Sequence, residues 1–291
     1  MKLLPAFAVL AFAVSTGTAA AQYADDRYTV LHVSPSGTDS RIASGEPEHI
    51  VIYDRSAKPG NVLLFMPGTG GEPQLTRFLA DAVDHGYRVV NLSYVDTPAV
   101  AQICYGQALR GDPDCAQQFR ERRAYGDGSA PIQDQPQDAI VNRFTKLLQY
   151  LVTNDPQGNW GQYLQNGEVV WSRVAVAGQS QGGGMAEFIA QRQAVARVIV
   201  FSGGWDRSSP REIAHWYSGK SLTPADRWFG TFNVAEPMAH VIEASYAALG
   251  IPAAQQFALD KPTLGGVPAH ADGISNPAYR DVWDRMLGSG N

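Results

Sequence analysis

Trp171-Ser-Arg-Val-Ala-Val-Ala-Gly-Gln-Ser-Gln-Gly-Gly-Gly-Met-Ala-Glu-Phe-Ile-Ala190 is the stretch on which the fold turns. Arg173 to Ala177 reads as a short apolar strand and Gly184 to Gln193 as a helix, which leaves Gly178-Gln179-Ser180-Gln181-Gly182 as the turn between them. A serine held at a strained backbone position there needs neighbours without a Cβ two residues to either side, or the strand and helix collide. Its hydroxyl then stands proud of the sheet edge. Behind it, the free N–H groups and positive dipole end of the helix face any negative charge that develops on a bound group. Ser180 is therefore the candidate nucleophile.

Upstream, Tyr28 to Val33 and His49 to Tyr53 carry β-formers around a Ser/Gly/Pro-rich turn and read as opening antiparallel strands. Asn61 to Met66 is an apolar run of the kind buried on both faces. It ends in Pro67-Gly-Thr-Gly-Gly71, a loop whose glycines let backbone amides turn outward, and a helix is expected from about Pro73 to His85. Tyr87 to Tyr94 is the next buried strand. From Val95 to Pro136 periodicity fails, and a stretch this long reads as an insertion with its own structure, a cover near the site. Asp138 to Thr153 is then an amphipathic helix.

Downstream, Arg197 to Phe201 is a buried strand ending in Ser202-Gly-Gly-Trp-Asp206. The run from Arg227 to Asn233 reads as strand, a helix opens at Glu236-Pro237 and ends near Leu249, and Pro277 to Leu287 closes the chain as a helix.

At the other end, Lys2 precedes an apolar run from Leu3 to Val14 and Ala19-Ala-Ala21, the pattern of a signal peptide spanning residues 1–21 and cut after Ala21. It is too short for a membrane span, and no later stretch reaches that length. The expected product is a secreted or periplasmic domain of residues 22–291, with residues 95–136 as its cover. The formal charge of −5 becomes −6 once Lys2 is removed, a mild acidity that argues against nucleic acid as a partner. Hydrophobic residues make up 44% of the chain, enough for one large core.

Cys104 and Cys115 are the only cysteines. Export to an oxidising compartment predicts a disulfide between them. Two sulfurs without nearby His or carboxylate partners do not make a metal site, and none is expected.

A serine needs a base, and histidine is the usual one because its pKa lies near the working pH. In a parallel sheet the reactive strand ends share one edge, so the base should follow a late strand. Of six histidines, His270 fits this position; His85, His215 and His240 fall on or beside helices away from it. The base in turn needs a carboxylate to hold its tautomer. Glu236, just past the strand ending near Asn233, is the first candidate, and Asp206, past the preceding strand, is the alternative acid.

The order Ser180, then Glu236 or Asp206, then His270, with the elbow and the glycine loop after an earlier strand, resembles the α/β-hydrolase superfamily, in the manner of its exported serine esterases and lipases. The resemblance covers nearly the whole chain after the signal. It implies a three-layer α/β fold with a mostly parallel central sheet, and oxyanion donors at the backbone N–H groups of Gln181 and Thr69. It departs from many esterases in reading Pro-Gly-Thr-Gly where they have His-Gly, and in placing Glu where Asp is commoner. By that resemblance the chain would cleave carboxylic esters, of small-molecule or polymeric substrates, through an acyl-enzyme without a cofactor. The same triad serves amidases and peptidases, and a non-catalytic binding member of the fold is the reading from another class. Trp205, Trp216, Tyr217 and Trp228 follow late strands, where they could line an acyl pocket.

Overall fold

Alternation along the strands sets the architecture. In the computed structural model, which describes residues 28–43, 46–128 and 132–290, Val62, Leu64 and Met66 point to one face of the sheet and Leu63 and Phe65 to the other, and all five are buried. Successive side chains of a strand face opposite ways, so a strand apolar at every position must be covered on both sides. The expected signal segment, residues 1–21, lies outside the described residues.

In chain order the elements are β1 (Tyr28–Val33), β2 (His49–Asp54), β3 (Val62–Met66), α1 (Arg77–Asp84) and β4 (Arg88–Asn91). The cover contributes α2 (Val100–Ile103), α3 (Gly106–Gly111) and α4 (Cys115–Tyr125), followed by α5 (Ile140–Asn154). Then come β5 (Val174–Gln179), α6 (Gln181–Arg192), β6 (Arg197–Phe201), β7 (Trp228–Asn233), α7 (Ala239–Ala248), β8 (Gln256–Leu259), α8 (Ala269–Asp272) and α9 (Arg280–Leu287). The eight strands form one sheet in the order β1-β2-β4-β3-β5-β6-β7-β8. Pairings β1–β2 and β2–β4 are antiparallel and the rest parallel.

One face packs Val62, Leu64, Val174, Val176, Val198 and Val200 against residues of α4, α5, α6 and α7. The other packs Leu63, Phe65, Ala175, Ala177, Ile199 and Phe201 against Phe78, Leu79 and Val83 of α1 and Trp283, Met286 and Leu287 of α9. The result is the three-layer sandwich, with the C-terminal ends of β3, β5, β6, β7 and β8 along one edge.

Several boundaries differ from the sequence reading. The first long helix begins at Arg77, where the Thr76 hydroxyl accepts a hydrogen bond from the Leu79 N–H, so Pro73 to Leu75 stay in the loop. The elbow helix begins at Gln181, three residues earlier than expected, because glycines 182 to 184 lie inside its first turns. The late strand expected ahead of His270, for which the sequence gives no bounds, is β8: it is four residues long and partly exposed on the sheet's edge. The cover is helical, and Cys104 and Cys115 are bonded with an S–S distance of 2.00 Å, joining the end of α2 to the start of α4. Among the described residues no helix is long and apolar enough to cross a membrane.

Candidate active site

Ser180 sits between β5 and α6 at φ 56° and ψ −118°, a backbone conformation that non-glycine residues rarely adopt. The surrounding contacts impose it. A Cβ at Gly178 would strike the backbone of Gly182, and a Cβ at Gly182 would run into the carbonyl oxygens of Met66 and Pro67. The Ser180 N–H is tied to the Phe201 carbonyl at 2.8 Å and its carbonyl accepts from the Gly184 N–H at 3.0 Å. The turn is therefore fixed from both sides, and the hydroxyl is partly exposed at the edge of the sheet.

The loop after β3 lies against this turn. A Cβ on Gly68 would meet that of Ser180 at 3.2 Å, so only glycine lets the backbone approach so closely. Thr69 follows at once, exposed, and the Gly71 N–H closes back on the Gly68 carbonyl at 2.9 Å. Two residues after β4 brace the loop. The Tyr94 hydroxyl donates to the Pro67 carbonyl at 2.8 Å. Burial lifts the Asp96 carboxyl above its usual range, although the Thr97 hydroxyl donates to it at 2.9 Å and the nearby Gly70 and Gly71 amides favour its charge. Thr69 thus follows the glycine that lies against Ser180, and Gln181 follows Ser180 itself. Gln181 itself is buried at the first position of α6.

Glu236 and His270 come together. The His270 Nδ1 lies 2.5 Å from Glu236 Oε2, with the carboxylate side chain 2% exposed and the imidazole 29%. The second oxygen of Glu236 accepts from the Ser202 hydroxyl at 2.6 Å and the Asn233 N–H at 2.7 Å. Burial pushes this carboxyl up, but the hydrogen bonds from His270 and Ser202 and the nearby imidazole outweigh it, leaving Glu236 below its usual value. It is a carboxylate with both oxygens engaged. The contact at Nδ1 leaves the other ring nitrogen, Nε2, uncommitted; it is buried and makes no hydrogen bond within the described protein. Ser180 and His270 are not hydrogen-bonded to each other in this structure. They are linked through the elbow, where the Gln179 side-chain amide donates to the His270 carbonyl at 2.9 Å.

Asp206 is differently engaged. Its carboxylate takes a bidentate pair from Arg120 at 2.5 and 2.7 Å and a third bond from the Trp216 indole at 3.1 Å. Its neighbour Trp205 packs edge-on against the His270 ring with centroids 4.9 Å apart. The aromatic pocket expected from four late residues reduces to this one. Trp216 and Tyr217, past β6, and Trp228, the first residue of β7, are buried among core side chains, as rings of that size commonly are.

Sequence reasoning did not single out Ser202, which adds a second donor to Glu236, or Arg120, which occupies Asp206. Ser202 carried a signal: a polar residue before two glycines at a strand end, here at φ 49°. Arg120 carried none, since 86 positions separate it from its partner.

Among solved structures, an esterase/lipase from an uncultured bacterium superposes with a TM-score of 0.50 at 12% identity, over 99% of this chain and 92% of its own. A bacterial heroin esterase reaches 0.48 at 16% identity over 93% and 87% of the two chains. A hyperthermophilic esterase from the archaeon Pyrobaculum calidifontis reaches 0.46 at 14% identity over 91% and 85%. No protein-family model and no curated protein matches the sequence. The sheet order and the first of these likenesses agree: the chain has the α/β-hydrolase fold, with a disulfide-stapled cover.

Proposed function

We propose that this protein is a serine hydrolase that cleaves carboxylic esters through an acyl-enzyme, with Ser180 as nucleophile, His270 as base and Glu236 as the carboxylate that orients it. The observation that carries the reading is the convergence of a serine at a strained strand-to-helix turn with a His270–Glu236 pair on the same sheet edge. Fold alone would not support it, since one fold hosts many functions.

The chemistry follows from the roles. As the Ser180 oxygen bonds to the ester carbonyl carbon, His270 Nε2 takes its proton and the carbonyl oxygen becomes an anion. The N–H groups of Gln181 and Thr69 are the proposed donors to that oxygen. Glu236 stabilises the imidazolium without being protonated. Collapse of the intermediate breaks the bond to the alkoxide, which takes the proton from His270. Water, deprotonated by the same Nε2, then releases the acid and restores Ser180. Export, with residues 1–21 as the signal and 22–291 as the mature domain, belongs to the same proposal.

A panel of p-nitrophenyl esters of graded chain length, run beside matching anilides, tests it. An initial burst of nitrophenol equal to the enzyme present, with anilides at least about a hundredfold slower, is the expected result. Faster anilide cleavage would move the assignment to amide or peptide hydrolysis. No turnover of any substrate by folded protein would favour a binding role.

A further inference from the structure

The cover does more than roof the site: two of its helices reach the residue after the nucleophile. The first N–H of α2, on Val100, meets the Gln181 side-chain oxygen at 3.4 Å, and Arg120 of α4 reaches the Gln181 carbonyl at 3.4 Å and the Met185 sulfur at 3.3 Å. Gly184 makes room for this, because a Cβ there would strike the guanidinium. The rest of that guanidinium is committed to Asp206 in the bidentate pair, with side chains only 2% and 4% exposed.

Asp206 is fixed beyond that pair. Its carboxylate accepts from the Trp216 indole and its backbone N–H donates to the Tyr217 hydroxyl at 3.1 Å. The residue before it is Trp205, whose ring meets His270. One ion pair thus touches the first turn of α6 on one side and the support of the imidazole on the other.

We infer that Arg120 and Asp206 are positioning residues for the proposed reaction, holding the oxyanion donor Gln181 and the base His270 in register through the cover. This inference rests on the serine hydrolase reading. The energetics favour orientation over stability as the role. A buried ion pair commonly contributes no more than a well-packed apolar pair of the same volume, because desolvating two charges offsets their attraction. What it supplies that an apolar pair does not is direction: five fixed donors in a plane, meeting two oxygens, a carbonyl and a sulfur. A shift of about 1 Å in a reacting group can cost on the order of a hundredfold in rate.

The test is Arg120→Met with Asp206→Leu in one protein, which replaces the pair by apolar side chains, and separately Trp205→Phe, at a half-buried position. Melting temperature, kcat and KM on a p-nitrophenyl ester, and the rate of covalent labelling by a fluorophosphonate are measured for each. In the double variant the expected result is a melting curve near wild type with kcat and labelling rate lower by about 10-fold to 100-fold and KM changed far less. Trp205→Phe should lower both rates at least about threefold. Either folded variant with kcat and labelling within about twofold of wild type overturns the inference, and a double variant that does not fold leaves Trp205→Phe to decide. Failure of the underlying reading looks different: wild type itself would not label.

Discussion

Glu236 and Asp206 are two buried carboxylates that follow neighbouring strands, and the partner each holds separates their roles. Glu236 has His270 on one oxygen and two neutral donors on the other; Asp206 has Arg120 on both. Glu236→Gln keeps the shape and an acceptor for Ser202 but removes the charge that supports an imidazolium. By analogy with other triads, kcat should fall on the order of 10⁴-fold with a near-native melting curve. Asp206→Asn should cost far less, about 10-fold to 100-fold, as expected for a residue that acts through others. Steady-state kinetics of the two variants side by side checks this, and the reverse order would make Asp206 the acid. The folded-state pKa of Glu236 is depressed, so its contribution to stability is present above the ordinary glutamate value and fades as pH falls through the lower folded value. The proposed nucleophile, base and acid were named from the sequence because chain order and strand ends constrain them, and the structure brings two of the three, His270 and Glu236, into contact. The distinction between the two carboxylates lay in contacts from the cover, which no local pattern encodes.

Helices α4 and α6 carry the most informative departures from simple patterning. The buried residues of α4 include Cys115, Ala116 and Phe119 but also Arg120 and Arg123. With two inward arginines, its apolar period is broken, and a stretch with two prolines nearby then reads as loop. On α6, Glu187 is fully buried and neither carboxyl oxygen has a hydrogen-bond partner in the described protein. Burial pushes it well above the usual carboxylate range; Arg120 pulls it down and Asp206 pushes it up. A raised folded-state value means the native protein holds a proton that the unfolded chain releases. Stability from this group is therefore greatest at acid pH and declines as pH rises above the ordinary glutamate value, by up to about 1.4 kcal/mol per pH unit until the folded value is reached. Glu187→Gln should remove that decline. Melting curves from pH 5 to 9 should show the variant gaining on wild type as pH rises; a constant difference between them would contradict a neutral Glu187.

At the scale of the whole molecule, the sheet was legible because β3, β5 and β6 are apolar over most of their length, as strands covered on both faces of a parallel sheet are. The edge strand β8, in its bounds, and the helices of the cover were not, since the first is short and half exposed and the second are held by a disulfide and ion pairs more than by apolar periodicity. That predicts where the cover is vulnerable. Replacing both Cys104 and Cys115 by Ser should cost about 3 kcal/mol by the chain-entropy model and expose the segment 95–136 to protease before the sheet yields, as a peptide map of limited proteolysis would show. Cleavage beginning within the sheet would contradict it. The kinetic outcomes presuppose that Ser180 carries the reacting atom. The direct measurement is the intact mass of the folded protein after treatment with a fluorophosphonate, followed by peptide mapping. One adduct per chain, on the peptide containing Ser180 and absent from Ser180→Ala, is the result predicted; no adduct, or one on another residue that survives Ser180→Ala, would contradict the account.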